Sequence, residues 1–67
     1  MRGLIQRIAE KLASAWNGLW GWVQDAIINA LGAAIEDAIK AGYNAISNYL
    51  AGFSYATLSK VAKLLGV

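Results

Sequence analysis

The strongest constraint on this chain is an apolar arc that holds its phase through the first half of the sequence. With successive residues placed about 100° apart, Leu4, Ile5, Ile8, Leu12, Trp16, Leu19, Trp22, Val23, Ile27 and Ala30 fall on one side. Arg7, Glu10, Lys11, Ser14, Asn17, Gly18, Gly21, Gln24, Asp25 and Asn29 fall on the other, and only Ile28 clearly departs from the pattern. An arc that does not shift predicts a helix without a break, over about residues 2 to 31. The stretch "WNGLWG" inside it contains Asn17-Gly18, a turn dipeptide, and a second glycine at Gly21. Both glycines fall on the polar side, where a helix accepts each at a cost of about 1 kcal/mol relative to Ala. One turn apart, they either leave a shallow groove for another chain or only weaken the helix locally.

After Leu31 the arc rotates by roughly a third of a turn, and Ile35, Ala38, Ile39, Gly42, Ile46, Tyr49, Leu50 and Phe53 define a new apolar face. The break falls in "NALGAA", where Gly32 suits the left-handed conformation of a helix end. A second shift follows Gly52, with Ser54 as N-cap of a short helix that carries Leu58, Val61, Ala62 and Leu65 on one side. The fold class expected is therefore all-α: one unit over residues 1–67, with helices at about 2–31, 33–51 and 54–66. At 1.5 Å per residue the first helix would be about 45 Å long. The other two, end to end, would match it, which gives a helical hairpin folded at Gly32.

Composition decides how such a hairpin could be stable. A chain of 67 residues buries only roughly 60% of the surface that it exposes when unfolded, so a lone core is marginal. Disulfides and zinc are excluded by the lack of Cys and His. Association remains, and a content of 58% hydrophobic against 15% charged residues leaves apolar surface for it. The partner is either another copy or a lipid surface. No run of about 20 apolar residues offers a membrane span: the longest uncharged stretch, Ala41 to Ser59, is interrupted by Asn44, Ser47, Asn48, Ser54 and Thr57. Charges run through "MRGLIQRIAEKLASAW", unlike a secretory signal, so Met1 is expected to begin the working protein.

The expected hairpin sorts its charges. Arg2, Arg7, Lys11, Lys60 and Lys63 gather at the open end, while Asp25, Glu36 and Asp37 lie around the fold point. Arg7 with Lys11 and Lys60 with Lys63 stand at mildly repulsive helical spacings that an anion would relieve. Three roles are open for this end: a solvated face, a phosphate-facing patch that binds nucleic acid independently of sequence, or contact with anionic lipid. Glu36 and Lys40 form a favourable i,i+4 pair within the second helix.

Catalytic chemistry is not expected. With no His or Cys and with Glu36 and Asp37 diverging by about 100° on a helix, no catalytic, cofactor-binding or metal-ligating set can be assembled. Tyr43, Tyr49 and Tyr55, six apart, are expected to be packing aromatics rather than a base-stacking ladder. The residues expected to pack subunits together are Trp16, Leu19, Trp20, Trp22, Val23 and Ile27 with Ile35, Ile39, Ile46, Tyr49, Leu50 and Phe53.

Two resemblances follow. The Ala- and Gly-rich "NALGAAIEDAIKAGYNAI", the small size and the basic ends resemble the all-helical coat subunits of rod-shaped or filamentous viruses, clavavirus-like or inovirus-like. Basic residues at both ends make a hairpin-type coat the nearer analogy. That likeness implies a many-copy homo-oligomer in a virion or extracellular filament, with Arg2, Arg7, Lys11, Lys60 and Lys63 facing nucleic acid. The tryptophans and the ending "LSKVAKLLGV" are also similar to leaderless helical bacteriocins, which permeabilise target membranes. That second likeness implies a secreted protein acting at a membrane surface, and a compact bundle whose chain breaks at "WNGLWG". The leading expectation is the structural subunit, with the membrane-active peptide as its alternative.

Overall fold

The helix boundaries follow from where backbone groups at each end find partners. A computed structural model describes residues 3–67, and among these the regular structure is entirely helical. Its elements are α1 (Leu4–Ala15), α2 (Gly21–Leu31), α3 (Ile35–Ala41), α4 (Tyr43–Leu50) and α5 (Tyr55–Leu65), with one 3-10 turn, Trp16–Gly18, between α1 and α2. Gly3 N–H donates to Gln6 Oε1 at 2.6 Å at the start of α1. Ser54 caps α5 as the sequence predicts, its Oγ accepting from Thr57 N–H at 3.3 Å. The α3 helix has Glu36 and Asp37 in its first turn and Lys40 in its last, the order that the helix dipole favours.

The turn expected at Gly32 is present. Gly32 has φ +92°, which favours glycine, and a Cβ there would also press on the Tyr49 hydroxyl at 3.2 Å. The Tyr49 hydroxyl donates to the Leu31 carbonyl at 2.5 Å and occupies one of the acceptors left over at the end of α2.

Two expected helices are each divided. The helix expected over residues 33–51 breaks at Gly42, whose φ of +112° ends α3 and whose carbonyl accepts the first bond of α4, from Ile46 N–H at 3.1 Å. The helix expected over residues 2–31 breaks between Trp16 and Trp20. Leu19 and Trp20 are extended, at ψ 148° and 144°. The corner is closed by Gln24, whose Nε2 donates to the Trp16 carbonyl at 2.6 Å.

The constant phase conceals this break for a geometric reason. Leu12 and Val23 are both buried and are eleven residues apart in sequence. Eleven residues make three helical turns to within about 20°, so a corner of this length returns the apolar face almost to its starting angle. The longest dimension of the fold is 29 Å, too short for the helix of about 45 Å that a straight run would form.

The core is apolar throughout. Ile8, Ala9 and Leu12 of α1, Val23, Ile27 and Leu31 of α2, Ile35 of α3, Ile46 and Leu50 of α4, and Leu58, Val61, Ala62 and Leu65 of α5 are buried together, and among the described residues none of the buried ones is polar or charged. The spacing of four residues in Ile8–Leu12, Val23–Ile27–Leu31, Ile46–Leu50 and Leu58–Ala62 keeps each set on one helix face. The α1 helix packs on both α4 and α5, α3 packs on α4, and α2 packs mainly on α5.

The glycines at the two kinds of turn should respond in opposite ways. Gly32→Ala, with its positive φ and the Tyr49 hydroxyl in the way, should lower stability by about 1–2 kcal/mol. Gly18→Ala, where φ is not positive and no atom lies within 4 Å of the new Cβ, should be neutral or stabilising by up to about 1 kcal/mol. Urea unfolding followed by circular dichroism measures both.

Candidate functional site

The aromatic side chains that the core leaves in solvent are the first element of the site. In α2 the buried positions Val23, Ile27 and Leu31 recur every four residues. Trp22 stands about 100° away from Val23 around the helix and so falls off the buried arc. Trp20 precedes the helix in extended backbone and projects from the corner. Trp22 is 65% exposed and Trp20 is 75% exposed, two large apolar rings within three residues of each other. Trp16, at the start of the corner, is half-buried against the core.

The cations are the second element. Arg7 and Lys11 lie on α1 and Lys60 and Lys63 on α5, two helices that pack against each other; Arg7, Lys60 and Lys63 are exposed and Lys11 is half-buried. Arg2, expected with them, lies outside the described residues. Arg7, Glu10, Lys11 and Ser14 line one hollow with Val67, the residue that follows the end of α5. Leu4 and Ile5 line a different groove, with Phe53, Tyr55 and Leu58 at the beginning of α5. The two helices therefore run parallel. Lys63 lies in the last turn of α5, and the corner follows the C-terminal end of α1. Asp25, Glu36 and Asp37 are exposed on α2 and α3, and Glu36 lines a hollow with Trp16, Asn17 and Gly18 of the corner, so the fold does not reproduce the separate acidic and basic ends of the expected hairpin.

The residues expected to join subunits are distributed unevenly by the fold. Val23, Ile27, Ile35, Ile46 and Leu50 are buried inside one copy. Trp16, Leu19, Ile39, Tyr49 and Phe53 are half-buried around them, the last two as a tilted ring pair 5.4 Å between centroids. Only Trp20 and Trp22 of the set stand free in solvent.

Two residues that matter to the geometry carry no signal in the phase pattern. Gln24 reads as an ordinary polar-face residue, and Tyr49 as a packing aromatic. Their hydrogen bonds, to the carbonyls of Trp16 and Leu31, join positions 8 and 18 residues apart, and only the folded chain brings these together. Tyr55 is also exposed, at 76%, but it begins α5, at the end of that helix away from Lys63.

No protein-family model, curated protein or solved structure matches this chain.

The tryptophans should report the surface directly. Wild-type emission should be dominated by water-exposed indoles and quenched readily by iodide. The Trp20→Phe/Trp22→Phe double variant should leave only Trp16, with emission shifted to the blue and iodide quenching reduced several-fold.

Proposed function

We propose that this protein is a membrane-active helical bundle, acting in the manner of the leaderless bacteriocins that its sequence resembles. It adsorbs to anionic bilayers and makes them leak. The observation that carries this reading is the pair of exposed indoles, Trp20 and Trp22, on a chain that has already closed its own core. Indole rings prefer the boundary between water and hydrocarbon, where the apolar ring and the N–H are both accommodated. The cations of α1 and α5 supply attraction toward anionic headgroups, each worth about 1 kcal/mol near such a surface. No helix among the described residues is long and apolar enough to cross a membrane, so the contact proposed is interfacial, with the fold acting from the surface of a target membrane.

The coat-subunit reading relied on apolar faces that remain open for neighbouring copies. Val23, Ile27, Ile35, Ile46 and Leu50 satisfy one another within a single copy, so those faces are not open in the bundle as it stands. A nucleic-acid lumen would further need a repeated assembly to multiply the few cations of each subunit. Neither requirement has an observation in its favour comparable to the free tryptophans.

Vesicles containing phosphatidylglycerol and loaded with a self-quenching dye test the reading. The protein should bind them and release dye, more weakly on pure phosphatidylcholine and more weakly at 1 M salt, where charges are screened within about 3 Å. Trp20→Ala/Trp22→Ala should weaken binding at least ten-fold, since burying one large apolar side chain is worth about 1.5 kcal/mol or more. Absence of binding, together with rods in electron micrographs of the purified protein, would favour the coat subunit instead.

A further inference from the structure

We infer that α2 is the element that enters the lipid, leaving its place on α5 and lying in the plane of the interface while the rest of the chain stays at the surface. The inference rests on the membrane reading above and assigns the insertion to one helix.

Three observations converge on α2. The first is composition. "GWVQDAIINAL" is the most apolar of the four longer helices and the least one-sided. Asp25 is its only charge. Beyond the buried Val23, Ile27 and Leu31 it carries Trp22 and Ile28 on opposite flanks, the first exposed and the second half-buried. A helix this apolar, with one charge to keep in water, loses little by leaving the bundle, because hydrocarbon replaces the core contacts of Val23, Ile27 and Leu31 while Asp25 stays on the water side.

The second observation is attachment. The α2 helix is separated from its neighbours by breaks on both sides, the extended Leu19–Trp20 corner and the Gly32 turn. Each break is closed by one side-chain hydrogen bond: Gln24 Nε2 to the Trp16 carbonyl at the start, and the Tyr49 hydroxyl to the Leu31 carbonyl at the end. These breaks let α2 change direction without disturbing the helical hydrogen bonds of α1 or α3.

The third observation is position. The indoles that meet the interface first, Trp20 and Trp22, stand at the leading end of α2. At 1.5 Å per residue α2 is about 16 Å long, far short of the ~30 Å hydrocarbon core, so it lies in the interface rather than spanning it. A wedge of this kind in one leaflet disorders lipid packing, and leakage follows without a protein-lined pore.

The experiment separates adsorption from insertion. Vesicles containing phosphatidylglycerol are titrated with wild type, Ile28→Asp, Tyr49→Phe and Tyr55→Asp, with bound fraction measured by co-sedimentation and dye release compared at equal bound protein. Ile28→Asp places a charge on the flank of α2 and should lower leakage ten-fold or more per bound molecule. Tyr55→Asp makes the same charge change away from α2 and should leave leakage per bound molecule within about two-fold of wild type. Tyr49→Phe removes only the hydroxyl that holds the end of α2 and should accelerate leakage by about five-fold, the factor expected for one net hydrogen bond. Circular dichroism in buffer confirms that each variant is folded. Should Ile28→Asp unfold, Tyr49→Phe decides alone. Equal leakage from Tyr49→Phe and wild type, or equal losses from Ile28→Asp and Tyr55→Asp, would overturn the role of α2 while leaving adsorption intact. Failure of the wild type to bind vesicles would instead overturn the membrane reading itself.

Discussion

The structure depends on the burial of one face of α1 against α4 and α5. Ile8 and Leu12 have no exposed surface, and Ala9 between them lets the helices approach. Isolated helices of seven to twelve residues are not stable in water, so none of these segments would hold its form without that contact. Each fully buried Ile or Leu side chain contributes about 1.5–3 kcal/mol. In a chain without cysteine, this apolar packing carries the fold, and the hydrogen bonds at the turns decide its shape.

The shape places the exposed aromatics. A straight helix through Trp16–Trp20 would have set Trp16, Leu19 and Trp22 in one stripe, available to a neighbouring chain. The corner separates them: Trp16 turns inward against the core, while Trp20 and Trp22 remain outside. Gln24 holds that arrangement through the Trp16 carbonyl, and Tyr49 holds the other end of α2 through the Leu31 carbonyl. Exposed apolar surface on a small, otherwise closed protein calls for a partner, and the cations on α1 and α5 suit an anionic one. Adsorption and release of α2 are two stages of the same reading: charge and indole bring the molecule to the interface, and the breaks around α2 let one helix go further.

Much of this fold was legible in the sequence. The helical class, the turn at Gly32, the cap at Ser54 and the inward faces of α4 and α5 all follow from period and from residues with restricted conformations. The candidate surface was legible only in part. The cations were named from residue type and position alone, and the tryptophans were expected to lie in packed stripes. Gly42 illustrates the difficulty, since in the sequence it sits on an apolar face like any small residue, and only its φ of +112° makes it a helix boundary. Gly18 and Gly21 misled in the other direction, because their polar-face positions are equally compatible with a helix surface and with an exposed corner.

The sequence by itself determined that this chain is helical, where several of its helices begin and end, and that no disulfide can cross-link it. These properties depend on residue type and on spacing along one axis. The tertiary structure decided that the first helix bends at Trp16–Trp20, that the core closes within one copy, and that Trp20 and Trp22 are left in solvent. Periodicity records the angle of a side chain around its helix but not the direction of the helix axis, and an eleven-residue step restores that angle after a corner almost as well as it does along a straight rod.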